Sequence, residues 1–182
     1  MVTKLPEAIA SVEQLEDILT LPSPRLIEAM RTLDGDIVIL GVGGKMGPTL
    51  AILAARAVQA SGVERQITAV STFTQTGVRE QLEGHGIATH QADLLAPGAI
   101  DALPDAENTM YMVGRKFGST GAEWDTWATN VLAAGLAGRR YAHSRIVAFS
   151  SGNIYPFVPI DSGGATESTQ PDPVGEYAMS GL

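Results

Sequence analysis

The sequence has no cysteine among its 182 residues, which excludes a disulfide framework and a metal site built from thiolates. No apolar run approaches the length that a membrane span requires. Basic residues are also few, because 12 lysines and arginines stand against 20 acidic residues, for a formal net charge of −8. A nucleic-acid surface would need a basic stripe, so we expect no nucleic-acid partner.

The start of the chain carries acidic residues among its apolar positions, unlike a signal peptide. We therefore expect a cytoplasmic protein without a membrane partner. The hydrophobic fraction of 45% and the charged fraction of 18% suit a globular chain with one sizeable core. His85, His90 and His143 are scattered without metal-ligand spacing, so no metal site is predicted.

The most informative stretch is residues 36–47, which reads DIVILGVGGKMG. Four aliphatic residues run directly into glycines and then into an alanine-rich helical pattern. Glycines let a backbone turn tightly and approach a pyrophosphate, and the following helix offers its free N–H groups and its positive dipole end. This order of strand, glycine turn and helix predicts a dinucleotide phosphate site.

The glycine spacing discriminates between templates for such a site. A nucleoside-triphosphate loop needs Ser or Thr after Gly44-Lys45, where Met46 stands. The form G-x-G-x-x-G also fails, because its third glycine position falls on Met46. The looser form G-x-x-G-x-x-G fits Gly41, Gly44 and Gly47 without a mismatch. Lys45 and Met46 lie inside this loop, and the role of Lys45 stays open.

Apolar periodicity and chain breakers predict strands that alternate with helices beyond an N-terminal helical hairpin. Ser11 and Ser23 are predicted to cap the two hairpin helices. The predicted strands are 37–40, 67–72, 87–91, 109–113 and 145–150. The predicted helices after the hairpin are 48–60, 76–83, a short piece at 99–103, 123–138 and a start near 174.

This alternation implies right-handed crossovers and a parallel sheet covered on both faces. We therefore predict an α/β fold, a doubly wound parallel sheet with strand order 3-2-1-4-5. Residues 1–35 would form a helical extension and residues 36–182 a dinucleotide-binding domain. Because a helix begins near 174 and the sequence stops eight residues later, we also expect a part of a longer protein.

Five further sequence motifs follow the glycine loop along the chain. They are Asp93-Leu94 after the third strand, Gly114-Arg115-Lys116 after the fourth, Asn130-Val131 in the long helix, FSSGNIY at 149–155, and Glu167 followed by PVGEY at 173–177. From residue 36 onward the chain thus resembles the extended short-chain dehydrogenase/reductase family, the NAD-dependent epimerases and dehydratases that act largely on nucleotide sugars. The resemblance implies a Rossmann-like fold.

The resemblance also implies site residues. Ser151 would be the catalytic hydroxyl and Tyr177 the proton acceptor, since hydride leaves a sugar hydroxyl only as its proton is removed. Asp93 would hold the adenine amino group, and Lys116 would lie against the cofactor phosphates. The full cofactor-binding set is Gly41, Gly44, Lys45, Met46, Gly47, Ser71, Thr72, Asp93, Leu94, Gly114, Arg115, Lys116 and Asn130.

The chain departs from the family pattern at three places. Gly181 stands where the family has a lysine four residues after the tyrosine, which supplies positive charge to the phenolate. Gly152-Asn153 replaces the Asp-Glu pair of dehydratases, so dehydration by that mechanism is not expected. The second strand ends in hydroxyls at Ser71 and Thr72, where an acid would select NAD, so NAD and NADP both stay open.

Each of these residues also has a plain structural interpretation. Tyr177 could be a helix-start tyrosine, Asp93 a helix cap, Ser151 a strand-end hydroxyl, and Lys116 a solvated charge. Trp124 and Trp127 on the longest predicted helix indicate packing or a subunit interface, which would make a homodimer. The leading function is an NAD(P)-dependent epimerase or reductase acting on a sugar nucleotide. The alternative is a non-catalytic dinucleotide-binding protein with a redox-sensing or regulatory role.

Overall fold

The computed structural model describes residues 5–116, 118 and 120–182, so residues 1–4 of the predicted N-terminal extension lie outside it. The strands are β1 (Ile37–Leu40), β2 (Ile67–Ser71), β3 (Ala88–Gln91), β4 (Asn108–Tyr111) and β5 (Arg145–Ala148). The α-helices are α1 (Val12–Leu19), α2 (Pro24–Thr32), α3 (Gly47–Ser61), α4 (Val78–Gly84), α5 (Glu123–Trp127), α6 (Ala133–Arg140) and α7 (Glu176–Met179).

The five strands form one parallel sheet in the order β3-β2-β1-β4-β5. The central strand β1 aligns Ile37 with Ile67 of β2 on one side and with Asn108 of β4 on the other. Parallel neighbours need crossover connections, and helices supply them here. The predicted strand order and the doubly wound α/β class are therefore confirmed.

Alternation along β1 divides the core into two layers, one on each face of the sheet. Ile37 and Ile39 pack with buried residues of α3, including Ala51. Val38 and Leu40 point to the other face and belong to the cluster that includes Tyr141 after α6. Because both faces of β1 are covered, all four of its residues are buried, which explains the unbroken aliphatic run in the sequence.

The N-terminal helices begin as their sequence signals predict. The Oγ of Ser11 accepts a hydrogen bond from the Gln14 N–H at 3.1 Å, and Ser23 caps α2 in the same way through the Leu26 N–H. The C-terminal end of α2 is held by Arg65, whose guanidinium donates to the carbonyl oxygens of Met30, Leu33 and Gly35. The helical extension is therefore tied to the turn that precedes β2.

The structure differs from the sequence prediction along the longest helix. Residues predicted as one helix form α5, a π-helical turn over Ala128–Leu132 and then α6. The short helical piece predicted at 99–103 consists of turns, and Gly152–Ile154 forms an unpredicted 3₁₀ turn after β5. A π-helical turn carries one extra residue, and propensity does not signal it.

The edge strand β5 is exposed along its whole length, unlike the central strands. Ile146 and Val147 are 42% and 56% exposed, so apolar side chains on both faces of this strand contact solvent. Within the described part of the chain, no helix is long and apolar enough to cross a membrane.

We predict that Arg65→Met destabilises the protein by about 1–3 kcal/mol, since three carbonyl groups lose a charged donor. Chemical denaturation would measure the change in free energy of unfolding. Arg25→Met, which changes an exposed arginine of α2, is the matched control and should be nearly neutral. Equal stability of the two variants would contradict the anchoring role of Arg65.

The β5 edge generates a second prediction. Val147→Lys should reduce concentration-dependent self-association, because a lysine on an exposed apolar edge opposes strand pairing between molecules. Sedimentation velocity over a range of protein concentrations measures this. Val158→Lys places the same charge on a loop outside the sheet and serves as the control. If both variants self-associate like the parent protein, β5 is not the surface through which the molecules associate.

Candidate functional site

Gly41, the first residue after β1, has a backbone conformation and surroundings that exclude a side chain. Gly41 has a φ of 85°, in the left-handed region that disfavours a side chain. A Cβ atom there would also lie 2.7 Å from the Val113 nitrogen and 2.9 Å from the Met112 carbonyl carbon. The turn after β1 therefore presses directly against the backbone that follows β4.

The third glycine of the motif lets α3 begin against the end of β1. A Cβ atom on Gly47 would overlap the Val42 carbonyl oxygen and lie 2.6 Å from the Val42 Cα. Since these are backbone atoms, they cannot move aside without distorting the strand end. Gly47 thus fixes where the helix starts relative to the sheet.

The second glycine faces open space. The nearest atom to a Cβ on Gly44 is the Gly41 carbonyl oxygen at 3.7 Å, and Gly44, Lys45 and Met46 are all exposed. Helix α3 follows without a side-chain cap on its first N–H groups. A phosphate group could approach the Gly44 backbone and these N–H groups, so the loop fits the pyrophosphate of a dinucleotide.

The end of β2 offers a strained turn and hydroxyl groups. Ser71 Oγ accepts a hydrogen bond from the Phe73 N–H at 3.3 Å, and Phe73 has a φ of 48°. Among the described residues, Phe73 is the one residue other than glycine in this region of φ. Ser71 Oγ also fills the place of a Cβ on Gly43, and Thr72 is exposed. Strain of this kind concentrates at functional sites.

Arg79, the first basic residue after β2 in the sequence, contacts residues of α4 and β3. Arg79 Nε lies 3.0 Å from Glu83 Oε1 and 3.0 Å from Thr89 Oγ1. The hydrogen bond from Thr89, and after it the bond from Arg79, lowers the pKa of the Glu83 carboxyl group. Arg79 is therefore engaged between α4 and β3.

After β3, Asp93 is exposed and Leu94 is buried. The Asp93 Oδ1 accepts a hydrogen bond from the Leu95 N–H at 3.0 Å, so this carboxylate closes a local turn. Leu94 belongs to the core cluster below the sheet. Asp93 therefore closes a turn and caps no helix, because the helix predicted after it is absent, and its side chain is exposed.

An asparagine in the π-helical turn holds the loop that follows β4. The side-chain oxygen of Asn130 accepts from the Arg115 N–H at 2.7 Å, and its Nδ2 donates to the Arg115 carbonyl at 3.2 Å and to Ser180 Oγ at 2.8 Å. Gly114 lies against the same amide. The Arg115 guanidinium turns aside to Asp125, with NH1 and Oδ2 2.9 Å apart.

The same asparagine connects this loop to the helix that carries Tyr177. Ser180, which is buried, donates to the Tyr177 carbonyl oxygen at 3.0 Å. Lys116 extends from the loop so that its Nζ lies 5.9 Å from the centroid of the Tyr177 ring. A cation at this distance is attracted by the ring face.

Ser151 follows β5 and caps the 3₁₀ turn, accepting from the Asn153 N–H at 3.2 Å. The preceding Ser150 Oγ donates to the Gly181 carbonyl at 2.8 Å, which ties this segment to the end of α7. Asn153 and Tyr177 line a common pocket of about 270 Å³ between α5 and α7. Tyr177 thus lines this pocket directly, whereas Ser151 lies two residues from its lining residue Asn153.

Two of the four tyrosines are unsuited to accept a proton. Burial raises the pKa of Tyr111 to about 12. Burial also raises the pKa of Tyr141, whose hydroxyl donates to the Pro104 carbonyl at 3.0 Å. Burial therefore separates these two hydroxyl groups from Tyr155 and Tyr177, which are the partly exposed candidates.

Because the strands are parallel, the segments after their carboxyl ends share one edge of the sheet. The predicted residues found along this edge are Gly41, Gly44, Lys45, Met46, Gly47, Ser71, Thr72, Asp93, Gly114, Arg115, Lys116 and Ser151. Asn130 and Tyr177 approach it from the helices, and Leu94 lies in the core beneath. The sequence interpretation missed Gly43, Ser180 and the approach of Lys116 to Tyr177, and only Gly43 carried a local signal.

Comparison with known proteins gives a match in structure alone. No family model matches the sequence, and no curated protein matches it either. Among solved structures, UDP-glucuronic acid 4-epimerase from Bacillus cereus, a mutant in complex with NAD and a fluorinated UDP-glucuronic acid, has a TM-score of 0.67 at 16% identity. The match covers 80% of this chain and 48% of that one.

Two further solved structures match this chain in fold. ADP-L-glycero-D-manno-heptose-6-epimerase from Helicobacter pylori has a TM-score of 0.65 at 16% identity, covering 81% of this chain and 47% of that one. A short-chain dehydrogenase/reductase superfamily protein from Agrobacterium tumefaciens with bound NAD has a TM-score of 0.60 at 19% identity. That match covers 80% of this chain and 42% of that one. This chain has the Rossmann fold of these three proteins. It spans slightly under half of their length.

The glycine geometry of this Rossmann fold predicts a contrast in stability between two positions. Gly47→Ala should destabilise the protein by about 1–3 kcal/mol or more, because its Cβ would collide with the Val42 backbone. Gly44→Ala should change stability little, because its Cβ would meet only the Gly41 carbonyl at ordinary contact distance. Thermal and chemical denaturation of both variants test this. Similar losses at the two positions would contradict the described turn.

Proposed function

We propose that this chain carries the cofactor-binding part of an NAD-dependent epimerase or reductase that acts on a sugar nucleotide by hydride transfer. The observation that carries the proposal is the turn at Gly41, Gly44 and Gly47. A Cβ atom on Gly41 or Gly47 would collide with neighbouring backbone, whereas a Cβ atom on Gly44 would contact only the Gly41 carbonyl oxygen at ordinary distance. An open glycine before an uncapped helix is hard to explain by folding and is suited to a phosphate.

The geometry supports NAD over NADP as the cofactor. Recognition of a 2′-phosphate needs a cation near the end of β2, and Arg79, the first basic residue after β2, is hydrogen-bonded to Glu83 and Thr89. Ser71 and Thr72 can bond ribose hydroxyl groups without charge. The Agrobacterium protein and the Bacillus epimerase of similar fold both hold NAD.

In the proposed reaction, the chain removes a proton from a substrate hydroxyl while a hydride leaves the same carbon. NAD, when bound, supplies the hydride acceptor. Tyr177 would accept the hydroxyl proton, and Ser151 would hold the substrate oxygen by a hydrogen bond. The link from Ser150 to Gly181 supports this pairing, because it fixes the Ser151 segment beside α7. The substrate carbon thereby loses one hydride and its oxygen one proton, leaving a carbonyl.

A non-catalytic dinucleotide-binding role is the second candidate, and Gly181 is the observation that favours it. The resemblance leads us to expect a lysine at that position, and glycine supplies no charge to the tyrosine. Both candidates require cofactor binding, so only hydride transfer separates them. Appearance of reduced nicotinamide absorbance with a panel of sugar nucleotides, or a coupled epimer assay, would favour the enzyme.

We predict that Gly44→Val weakens NAD binding by about tenfold or more, because its branched side chain occupies the space proposed for the phosphate. Isothermal titration calorimetry with NAD and with NADP would measure the affinities. The parent protein should bind NAD more tightly than NADP.

The matched control is Gly135→Val, which changes an exposed glycine of α6 with no atom within 4 Å of its Cβ position. Circular dichroism should show that both variants fold. If a folded Gly44→Val variant binds both dinucleotides with unchanged affinity, the glycine turn is not part of the binding site.

A further inference from the structure

The position that follows Tyr177 by one helical turn has no side chain. A Cβ on Gly181 would lie 3.6 Å from the carbonyl oxygens of Tyr177 and Ala178 and 3.7 Å from Ile154 Cγ2. The Gly181 carbonyl is occupied by Ser150. A positive charge beside Tyr177 must therefore come from another part of the chain.

The loop after β4 brings such a charge. Lys116 Nζ lies 5.9 Å from the Tyr177 ring centroid, although the two residues are 61 positions apart in the sequence. Lys116 is exposed and Tyr177 half-buried, so the ammonium group approaches from the solvent side. A cation at this distance from the centroid is attracted by the ring face, and its field also reaches the phenol oxygen bonded to the ring.

The approach of Lys116 follows from a chain of hydrogen bonds. Asn130 binds both backbone groups of Arg115, the residue before Lys116. The same amide donates to Ser180, and Ser180 donates to the Tyr177 carbonyl. The backbones that carry the lysine and the tyrosine are thus fixed to a single side chain in the π-helical turn.

Other charged groups around Tyr177 also have partners in the structure. Arg115 pairs with Asp125 of α5. Glu176, next to the tyrosine, accepts a hydrogen bond from the Trp127 indole N–H. Glu123 lines the same pocket and accepts from the Gly121 N–H. Because both glutamates are negative and accept hydrogen bonds elsewhere, Lys116 contributes the positive charge that faces the ring.

We propose that Lys116 supplies, from the loop after β4, the positive charge that position 181 lacks, and so prepares Tyr177 to accept a proton. This inference rests on the proposed hydride-transfer function. Lys116 acts through Tyr177 and is therefore a positioning residue.

The test follows the reactivity of the tyrosine in the full chain without cofactor. Tetranitromethane nitrates tyrosines in their phenolate form, and peptide mass spectrometry gives the rate at each residue. Lys116→Met should slow the nitration of Tyr177 by about threefold, the Coulomb effect of one solvated charge at this distance. Lys116→Arg should retain most of the parent rate, because it keeps the charge.

Tyr155 is the internal control, since it is also partly exposed and lies on the loop after β5. Its nitration rate should be the same in all three proteins. The sign of the effect is informative, because loss of a covering side chain alone would expose the Tyr177 ring and speed its nitration. An unchanged or faster rate at Tyr177 in Lys116→Met, or an equal slowing at Tyr155, would overturn the proposal.

A parallel titration with NAD separates this inference from the proposed function. Gly44→Val should lose NAD affinity and keep the nitration rate of Tyr177, whereas Lys116→Met should slow nitration. If Lys116→Met weakens NAD binding with normal nitration, Lys116 contacts the cofactor phosphates only and the inference fails. If the parent protein binds no dinucleotide but nitration responds to Lys116, the proposed function fails and the charge assignment stands.

Discussion

The site depends on the close approach of backbone to backbone at two glycines. Gly41 lies against the Met112–Val113 peptide after β4, and Gly47 against the Val42 carbonyl at the start of α3. Neither contact leaves room for a Cβ, so the end of β1, the loop after β4 and the start of α3 are locked together. Because these elements belong to the buried centre of the sheet, the open surface over Gly44 is held rigidly.

Much of this fold could be predicted because its signals are local. The run at 37–40 is aliphatic since both faces of β1 are covered, and Ser11 and Ser23 cap helices by contacts within three residues. The glycine spacing also follows from contacts near β1. The π-helical turn around Asn130 was missed, because no local preference distinguishes it from an ordinary helix.

The parts of the site that the sequence could not predict depend on contacts between distant segments. The sequence placed Arg115 and Lys116 together as one basic pair, whereas the structure turns Arg115 toward Asp125 and Lys116 toward Tyr177. A position in sequence gives the loop on which a charge lies, but not the partner that it meets.

The glycine turn and the helix that carries Tyr177 are therefore held in place by different kinds of contact. The glycine turn is fixed by buried backbone, whereas α7 has four residues and cannot hold its position by its own hydrogen bonds. Its place depends on side-chain links from Asn130 to Ser180 and from Ser150 to Gly181. Loss of one link would displace Tyr177 while leaving the surface over Gly44 intact. In the proposed function, changes that displace Tyr177 would therefore impair proton transfer and leave dinucleotide binding at the glycine turn intact.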